Sequence, residues 1–310
     1  MEKEDLESIL DDCLALSMPS KHLLWHYRSK HESLIAFSNS KYYDNKLLTF
    51  PSPDDIATKV NFVPVAGYYD RGKTRQNNFE AKAIIDEIKR RLSDPLLAKK
   101  SIGVVCFSSV QQILIQNMFD ELLRANPELE SIALETQEPI FIKNLENVQG
   151  DERDVILFSV GYGPDKEGKV SLNFGPINRE GGWRRLNVAV SRARYEMRVY
   201  STLHADQIDI TRSASEGVAS IKAFLEYAEK GRATLGLRKE DTVNTENGFE
   251  KILAEKIRRH GYEVNTNIGF SGYRIDIGIV DKNKPSQYIL GILCDGNNYH
   301  AAKTANDREI

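Results

Sequence analysis

Residues 183–200 read WRRLNVAVSRARYEMRVY, and this stretch decides how the chain is built. Leu186, Val190 and Ala193 recur at helical spacing before Met197 and Val199 take up strand character, so a short helix is predicted to feed a buried strand. Arg184, Arg185, Arg192 and Arg194 bracket that helix with almost no acid among them. A guanidinium presents a fixed fork of donors that suits phosphate, so the cluster points to an anionic partner. Composition by itself fits an exposed basic helix as well.

The bounds on the answer are ordinary. At 310 residues, 41% hydrophobic and 28% charged, the chain suits one large or two ordinary domains with a sizeable core. A net charge of -3 and a pI near 6.1 mean that any nucleic-acid contact must come from local patches. Cys13, Cys106 and Cys294 lie far apart with no CxxC pair, which argues against a disulfide framework and a zinc site and for a reduced compartment. No apolar run approaches a membrane span, and the acidic start MEKEDLES is unlike a signal peptide. A soluble, cytoplasmic protein is expected.

Outward from the opening stretch, the pattern alternates. Residues 62–65 read as a strand, 78–92 as a helix with Phe79, Ala83, Ile84, Ile88 and Leu92 inward, 102–107 as an apolar strand, and 108–126 as a helix capped by Ser108. This βαβα order predicts a parallel sheet wrapped by helices, with ligand contacts at the carboxyl ends of the strands. A helix from Glu2 to Ala15 precedes it, and a capped helix from Ser213 to Gly231 follows it. The polar run 232–247 has no hydrophobic period and reads as a linker. From Gly248 the order becomes α-β-β-β, with turns at residues 269–272 and 281–285.

LNVAVSRAR (residues 186–194) resembles motif VI of superfamily 1 helicases, in which the Arg after Ser/Thr is an arginine finger on the γ-phosphate; that residue is Arg192. Two other segments agree in order and spacing. Leu24 to Ser29 (LWHYRS) resembles the Q-Y-R-M-type segment of the 1B branch of that superfamily, which makes Arg28 a second phosphate contact with His26 in place of the usual Gln. Residues 147–154 (NVQGDERD) resemble motif V, which implies that Gln149, Gly150 and Glu152 touch nucleotide and nucleic-acid backbone. Gln111 matches a motif IV position, and Arg184, Arg185 and Arg194 join the implied nucleotide and nucleic-acid contacts. The resemblance covers residues 1–211 and implies a second RecA-like domain, with ATP and Mg²⁺ bound against a first RecA-like domain upstream and single-stranded DNA as partner.

No G-x-x-x-x-G-K-[ST] occurs, and Lys73-Thr74 lacks the glycine frame, so this chain is expected to be the C-terminal part of a longer protein. Residues 212–246 are read as helix and linker, and 247–310 as a second domain. FEKILAEKIRRHGY, GFSGYRIDIGIV and YILGILCDGNNYH resemble the PD-(D/E)XK nuclease fold of the very-short-patch-repair type. The implied Mg²⁺ ligands are Glu250, Asp276, Asp295 and His300, converging hard oxygen donors with a histidine. Leu293 stands where the family has Glu, and the chain stops before the closing helix and strands, so this domain is expected to be incomplete and inactive. The rival reading is a non-catalytic nucleic-acid-binding or scaffold module using Arg184, Arg185 and Lys143 for phosphate contacts alone.

The absence of the lysine and hydroxyl that cradle β- and γ-phosphates generates the first prediction. Purified 1–310 should show no ATP hydrolysis in a coupled assay; robust turnover would overturn the reading.

Overall fold

The computed structural model describes residues 9–54, 57–235, 248–269, 271 and 273–294. In the larger unit, five strands form a parallel sheet: β1 (Val60–Pro64), β2 (Ile102–Cys106), β3 (Phe141–Asn144), β4 (Arg153–Ser159) and β5 (Ala193–Ser201). Their spatial order is β1-β5-β4-β2-β3, every neighbouring pair parallel. β2 is buried throughout and β4 is buried from Val155 on, because both faces of a parallel sheet are covered. Six helices do the covering, α2 (Ser33–Tyr42), α3 (Asn78–Ser93), α4 (Ser109–Ala125), α5 (Pro127–Leu134), α6 (Gly182–Val190) and α7 (Glu216–Lys230), while α1 (Ile9–Ala15) leaves Ile9, Leu10 and Leu14 exposed and joins no core cluster. Alternate residues of β4 serve alternate faces. Ile156 and Phe158 pack with Phe37, Leu186 and Phe224 of α2, α6 and α7, while Val155 and Leu157 pack with Ile84, Ile88, Ile115 and Leu129 of α3, α4 and α5. The α/β, RecA-like arrangement expected from the sequence is the one observed.

Local signals set the boundaries. Ser108 Oγ accepts the Gln111 N–H at 3.2 Å to start α4, and Asn77 Oδ1 accepts the Glu80 N–H at 3.1 Å to start α3. α7 ends at Gly231, where φ is 68°. Phe79, expected inward, is 39% exposed and sets its ring against Tyr68, because the first turn of α3 turns Glu80 inward instead.

The smaller unit consists of α8 (Gly248–Arg259), β6 (Val264–Ile268), β7 (Ile275–Val280) and β8 (Tyr288–Ile292), an antiparallel meander ordered β6-β7-β8 with α8 packed on it. Among the described residues β8 pairs with β7 alone, and Ile289, Leu290 and Leu293 are exposed. Cys13, Cys106 and Cys294 are free thiols, and no helix among the described residues is long and apolar enough to cross a membrane.

The candidate residues Glu152, Arg192 and Arg194 lie at the amino edge of the sheet and not at the carboxyl strand ends. Asn144 is level with Cys106 and hence with Ser159, whereas Arg153 pairs with Ala193 at the start of β5. Residues 145–152 therefore carry the chain back along the sheet without a helix, held by buried Leu145 and Val148, and deliver Glu152 to the amino edge. α6 likewise runs against the strands, so Arg192 at its end and Arg194 at the start of β5 reach that edge too.

The carboxyl edge is closed by Glu80, which is fully buried. Its carboxyl accepts Gly161 N–H at 2.7 Å, Ser159 Oγ–H at 2.9 Å, Thr202 N–H at 2.9 Å and Asn77 Nδ2–H at 3.0 Å, tying α3 to the ends of β4 and β5. Burial pushes its pKa up from 4.5 to about 7 against the pull of these donors. A folded pKa above the unfolded one gives stability that is complete below pH 4.5 and lost as pH rises through about 7. Wild type should therefore lose on the order of 3 kcal/mol relative to Glu80→Gln across that window. Urea unfolding at both ends of the window checks this, and parallel profiles for the two proteins would refute it.

Candidate functional site

Arg28, Glu152 and Arg192 are brought together by three separate segments at the amino edge of the sheet. Arg28 lies in the chain before α2, and its Nε donates to Glu152 Oε2 at 2.7 Å while Nη1 donates to the Ser191 carbonyl at 3.2 Å. Both acceptors orient the guanidinium, and the carboxylate offsets its charge. Lys30 N–H donates to the Arg194 carbonyl at 2.8 Å, which fixes this segment on the start of β5.

Arg192 is placed differently. It is 8% exposed and its acceptors are uncharged: the Val188 carbonyl at 2.7 Å, the Asp151 carbonyl at 3.4 Å and Ser191 Oγ at 3.4 Å. Burial first, and the positive Arg28 second, push its pKa down to about 10. It is still a cation at pH 7, without an ion pair among the described residues, in a place that disfavours cations. His26 feels the same fields. Burial, then Arg28 and Arg192, lower its pKa to about 4, so the ring is neutral and its Nε2 accepts the Ser29 N–H at 3.1 Å.

These groups face a cavity of about 500 Å³, lined by Trp25, His26, Arg28, Tyr42, Tyr43 and Arg192 among others. Tyr42 stacks on Trp183 with centroids 4.9 Å apart, and Tyr43 Oη accepts Asn187 Nδ2–H at 3.0 Å, so α6 braces this wall. Two guanidiniums, of which only Arg28 has a carboxylate partner, a neutral imidazole, Lys21 and Lys46 at the lining and aromatic walls make a site for an anion attached to a flat, apolar body.

The remaining expected residues divide. Gln149 and Gly150 lie exposed in the turn before β4, and Gly150 has φ 93° with open space where a Cβ would stand, so the backbone conformation calls for glycine there. Arg184 is exposed over the Trp183 ring, and Arg185 is half-buried beside it. Both lie at the start of α6, roughly 12 Å of helix rise from Arg192, so the four arginines are not one cluster. Gln111 is fully buried at the opposite edge; its Oε1 accepts Asn77 N–H at 2.9 Å and its Nε2 donates to the Asn77 carbonyl at 3.0 Å.

Arg194 is held wholly within the protein. Nε donates to Asp154 Oδ1 at 2.9 Å, Nη1 to Glu138 Oε1 at 3.0 Å and Nη2 to Ser101 Oγ at 3.0 Å, and the bonds to Glu138 raise its pKa above the usual arginine value. Every nitrogen has a protein acceptor, a clamp rather than a free fork.

In the smaller unit, Asp276 on β7 accepts the Cys294 N–H through Oδ2 at 2.6 Å. Glu250 lies in the first turn of α8, and Leu293 is 56% exposed. Asp295 and His300 lie outside the described residues, and among the described residues no three His, Cys, Asp or Glu side chains gather to hold a metal. Sequence reasoning missed Glu80 and Thr202; the Asn77-x-x-Glu80 spacing is a helix-start signal, but the reach of Glu80 across the sheet has none.

Comparison with known proteins follows the same division. A family model described as AAA domain (AAA_12) matches residues 6–203, and the restriction-endonuclease-type model REase_MTES_1575 matches residues 249–310. The chain is similar to "Uncharacterized ATP-dependent helicase MG140" of Mycoplasma genitalium, 36% identical over 214 residues that cover 67% of this chain and 18% of that protein. A homolog of MG140 in Mycoplasma pneumoniae is 36% identical over 217 residues, with the same shares. The chain thus spans about a fifth of the length of these curated relatives. Among solved structures, the C-terminal domain of a possible DNA helicase from Lactobacillus plantarum WCFS1 is 13% identical with a TM-score of 0.32, covering 63% of this chain and 93% of that one.

The contrast between the two arginines is measurable. Arg194→Ala strands Glu138 and Asp154 and should cost roughly 2–3 kcal/mol. Arg192→Ala removes an unpaired, desolvated cation and should leave stability unchanged or raised. Thermal unfolding of the two variants checks the pair, and equal destabilisation would contradict the assignment.

Proposed function

The chain belongs to the AAA domain family matched over residues 6–203, and on that premise we propose that it is the second RecA-like domain of an ATP-dependent superfamily 1 nucleic-acid helicase of the 1B type, joined to an endonuclease-like domain. One observation carries the reading: Arg192 is buried, cationic and unpaired beside Arg28 at the mouth of a cavity. Such a group gains most when negative charge arrives next to it, and phosphoryl transfer develops charge on the transferred oxygens. ATP with Mg²⁺, held against Arg28 and Arg192 by a first RecA-like domain, would supply that charge.

The residues of this chain then act as follows. Arg192 stabilises the developing charge, since its carbonyl and hydroxyl partners do not neutralise it. Arg28 approaches from the other side, oriented by Glu152 and the Ser191 carbonyl. Because Glu152 is held by Arg28 and lies in the motif V turn, movement of Arg28 toward phosphate shifts the turn that carries Gln149 and Gly150, the residues assigned to the nucleic-acid backbone. This links nucleotide state to the grip on a single strand. Arg194 is reassigned from a ligand contact to a scaffold of the site.

For the C-terminal domain, the match over residues 249–310 supports an endonuclease-like fold. Asp276 beside the 292–294 segment is a reasonable anchor for a divalent cation with Glu250, Asp295 and His300, while exposed Leu293 supplies no ligand. We read this domain as inactive in cleavage.

In the full-length polypeptide, Arg192→Ala should lower kcat for ATP hydrolysis by roughly 10³-fold or more with nearly unchanged nucleic-acid affinity. Steady-state kinetics and a binding isotherm test this together. Equal loss of affinity and kcat would move Arg192 into a plain phosphate-contact role, as in a non-catalytic binding module.

A further inference from the structure

Residues 48–54 read LTFPSPD and run between the two units. Their partners alternate. Leu48 pairs with Trp25 in a parallel bridge, with His26 N–H donating to the Leu48 carbonyl at 3.0 Å and Leu48 N–H to the Leu24 carbonyl at 2.6 Å. Ser52 Oγ donates to the Lys30 carbonyl at 3.0 Å, and the Asp54 carbonyl bonds His31 Nε2 at 3.2 Å. The even positions thus hold the segment that carries Arg28.

The odd positions hold the C-terminal unit, and Thr49 also ties back to the larger unit, its Oγ1–H donating to Glu32 Oε1 at the start of α2. Thr49 N–H donates to Ser271 Oγ at 3.0 Å, and that hydroxyl lies 3.0 Å from the Thr49 carbonyl, with both residues buried. Pro51 lies against Gly269, where a Cβ would come within 2.9 Å of Pro51 Cγ. The Pro53 carbonyl accepts the Tyr288 N–H of β8 at 2.7 Å. Phe50 serves both sides: its ring stacks on Trp25 with centroids 5.1 Å apart and meets Tyr273 edge-on at 5.0 Å.

Period-two alternation over residues 48–52 is what an extended segment gives, and the prolines stiffen it, since each locks its own φ and biases Phe50 or Ser52 before it to extended backbone; at Pro53 and Asp54 the chain enters a turn. A Pro-x-Pro run is stiff over several residues and passes displacement along instead of absorbing it. We propose that residues 48–54 are a two-faced strap coupling the Arg28 segment to the C-terminal domain, so that occupancy of the Arg28–Arg192 cavity changes how firmly that domain is held. The ligand part of this rests on the phosphate site proposed above; the mechanical part does not. Ser271 and Phe50 are positioning residues in this scheme, since neither touches the cavity.

Coupling between two sites is reciprocal. Hydrogen exchange on the full 310-residue chain therefore tests it from both sides. Ser271→Ala should speed exchange of the His26 and Lys30 amides by about tenfold, and Arg28→Ala should speed that of the Tyr288 amide by a similar factor. Replacing Pro51 and Pro53 with glycine keeps the backbone hydrogen bonds, gives up the Pro51 ring contact with Gly269 and slackens the strap, and should abolish both distant effects. Effects confined to the mutated side in both single variants would overturn the proposal. Inorganic tripolyphosphate provides the ligand arm, expected to slow exchange at His26, Lys30 and Tyr288. Protection at His26 and Lys30 without change at Tyr288 overturns the ligand coupling and leaves the phosphate site standing. Protection at none of them removes the phosphate site, while the substitution arms still decide the strap.

Discussion

The amino edge of the sheet depends on one guanidinium. Arg194 enters on β5 and reaches Asp154 at the start of β4, Ser101 just before β2 and Glu138 just before β3, so four strand entrances share one side chain. A planar fork with donors on three nitrogens can do this where a point charge such as lysine cannot. With that edge fixed, the turn carrying Glu152 and the segment carrying Arg28 have a stationary surface to lie on. The opposite edge is fixed by a single group of opposite sign, Glu80, which takes donors from α3, β4 and β5. Between these two closures the sheet has little room to shear.

A rigid frame explains why Arg192 can stay buried and unpaired. In a mobile region it would swing to solvent or find a carboxylate. Here its neighbours Asp151 and Glu152 are drawn elsewhere, Asp151 to Lys143 at 2.6 Å and Glu152 to Arg28. The desolvation cost of Arg192 is borne by the stability of the frame, a common arrangement where a group must be ready for charge that arrives later. His26 fits the same logic, because a neutral ring adds no further positive charge beside Arg28 and Arg192.

Much of the frame was legible in the sequence. The uninterrupted apolar runs of β2 and β4, the Ser108 and Gly231 boundaries, and the α-β-β-β order after Gly248 are local patterns with local causes. The Arg28, Glu152 and Arg192 trio was legible through motif resemblance and is now a spatial cluster. What was not legible depends on register over long separations. Motif resemblance singled out Arg192, but residue chemistry in SRAR does not separate it from Arg194; Asp154 and Glu138, which claim Arg194, lie 40 and 56 residues away along the chain. Gln111 was placed by motif resemblance alone, and its burial against Asn77, 34 residues earlier, has no local signal. The placement of the site at the amino edge followed from the helix-free return over residues 145–152, which a strict βα alternation does not foresee. FPSP at residues 50–53 carries no local signal of its role, since that role lies in what packs on each side of it.

The edge of β8 that no strand pairs among the described residues has a colloidal consequence. Its backbone groups lie beside exposed Ile289, Leu290 and Leu293, and Pro53 caps only the Tyr288 amide. Unpaired strand edges with apolar flanks template the addition of another strand, and a net charge of -3 supplies little long-range repulsion between copies. Monomer in concentrated solution will thus be lost by edge-to-edge pairing through this strip while the large parallel sheet is still intact, most readily near the pI of about 6.1.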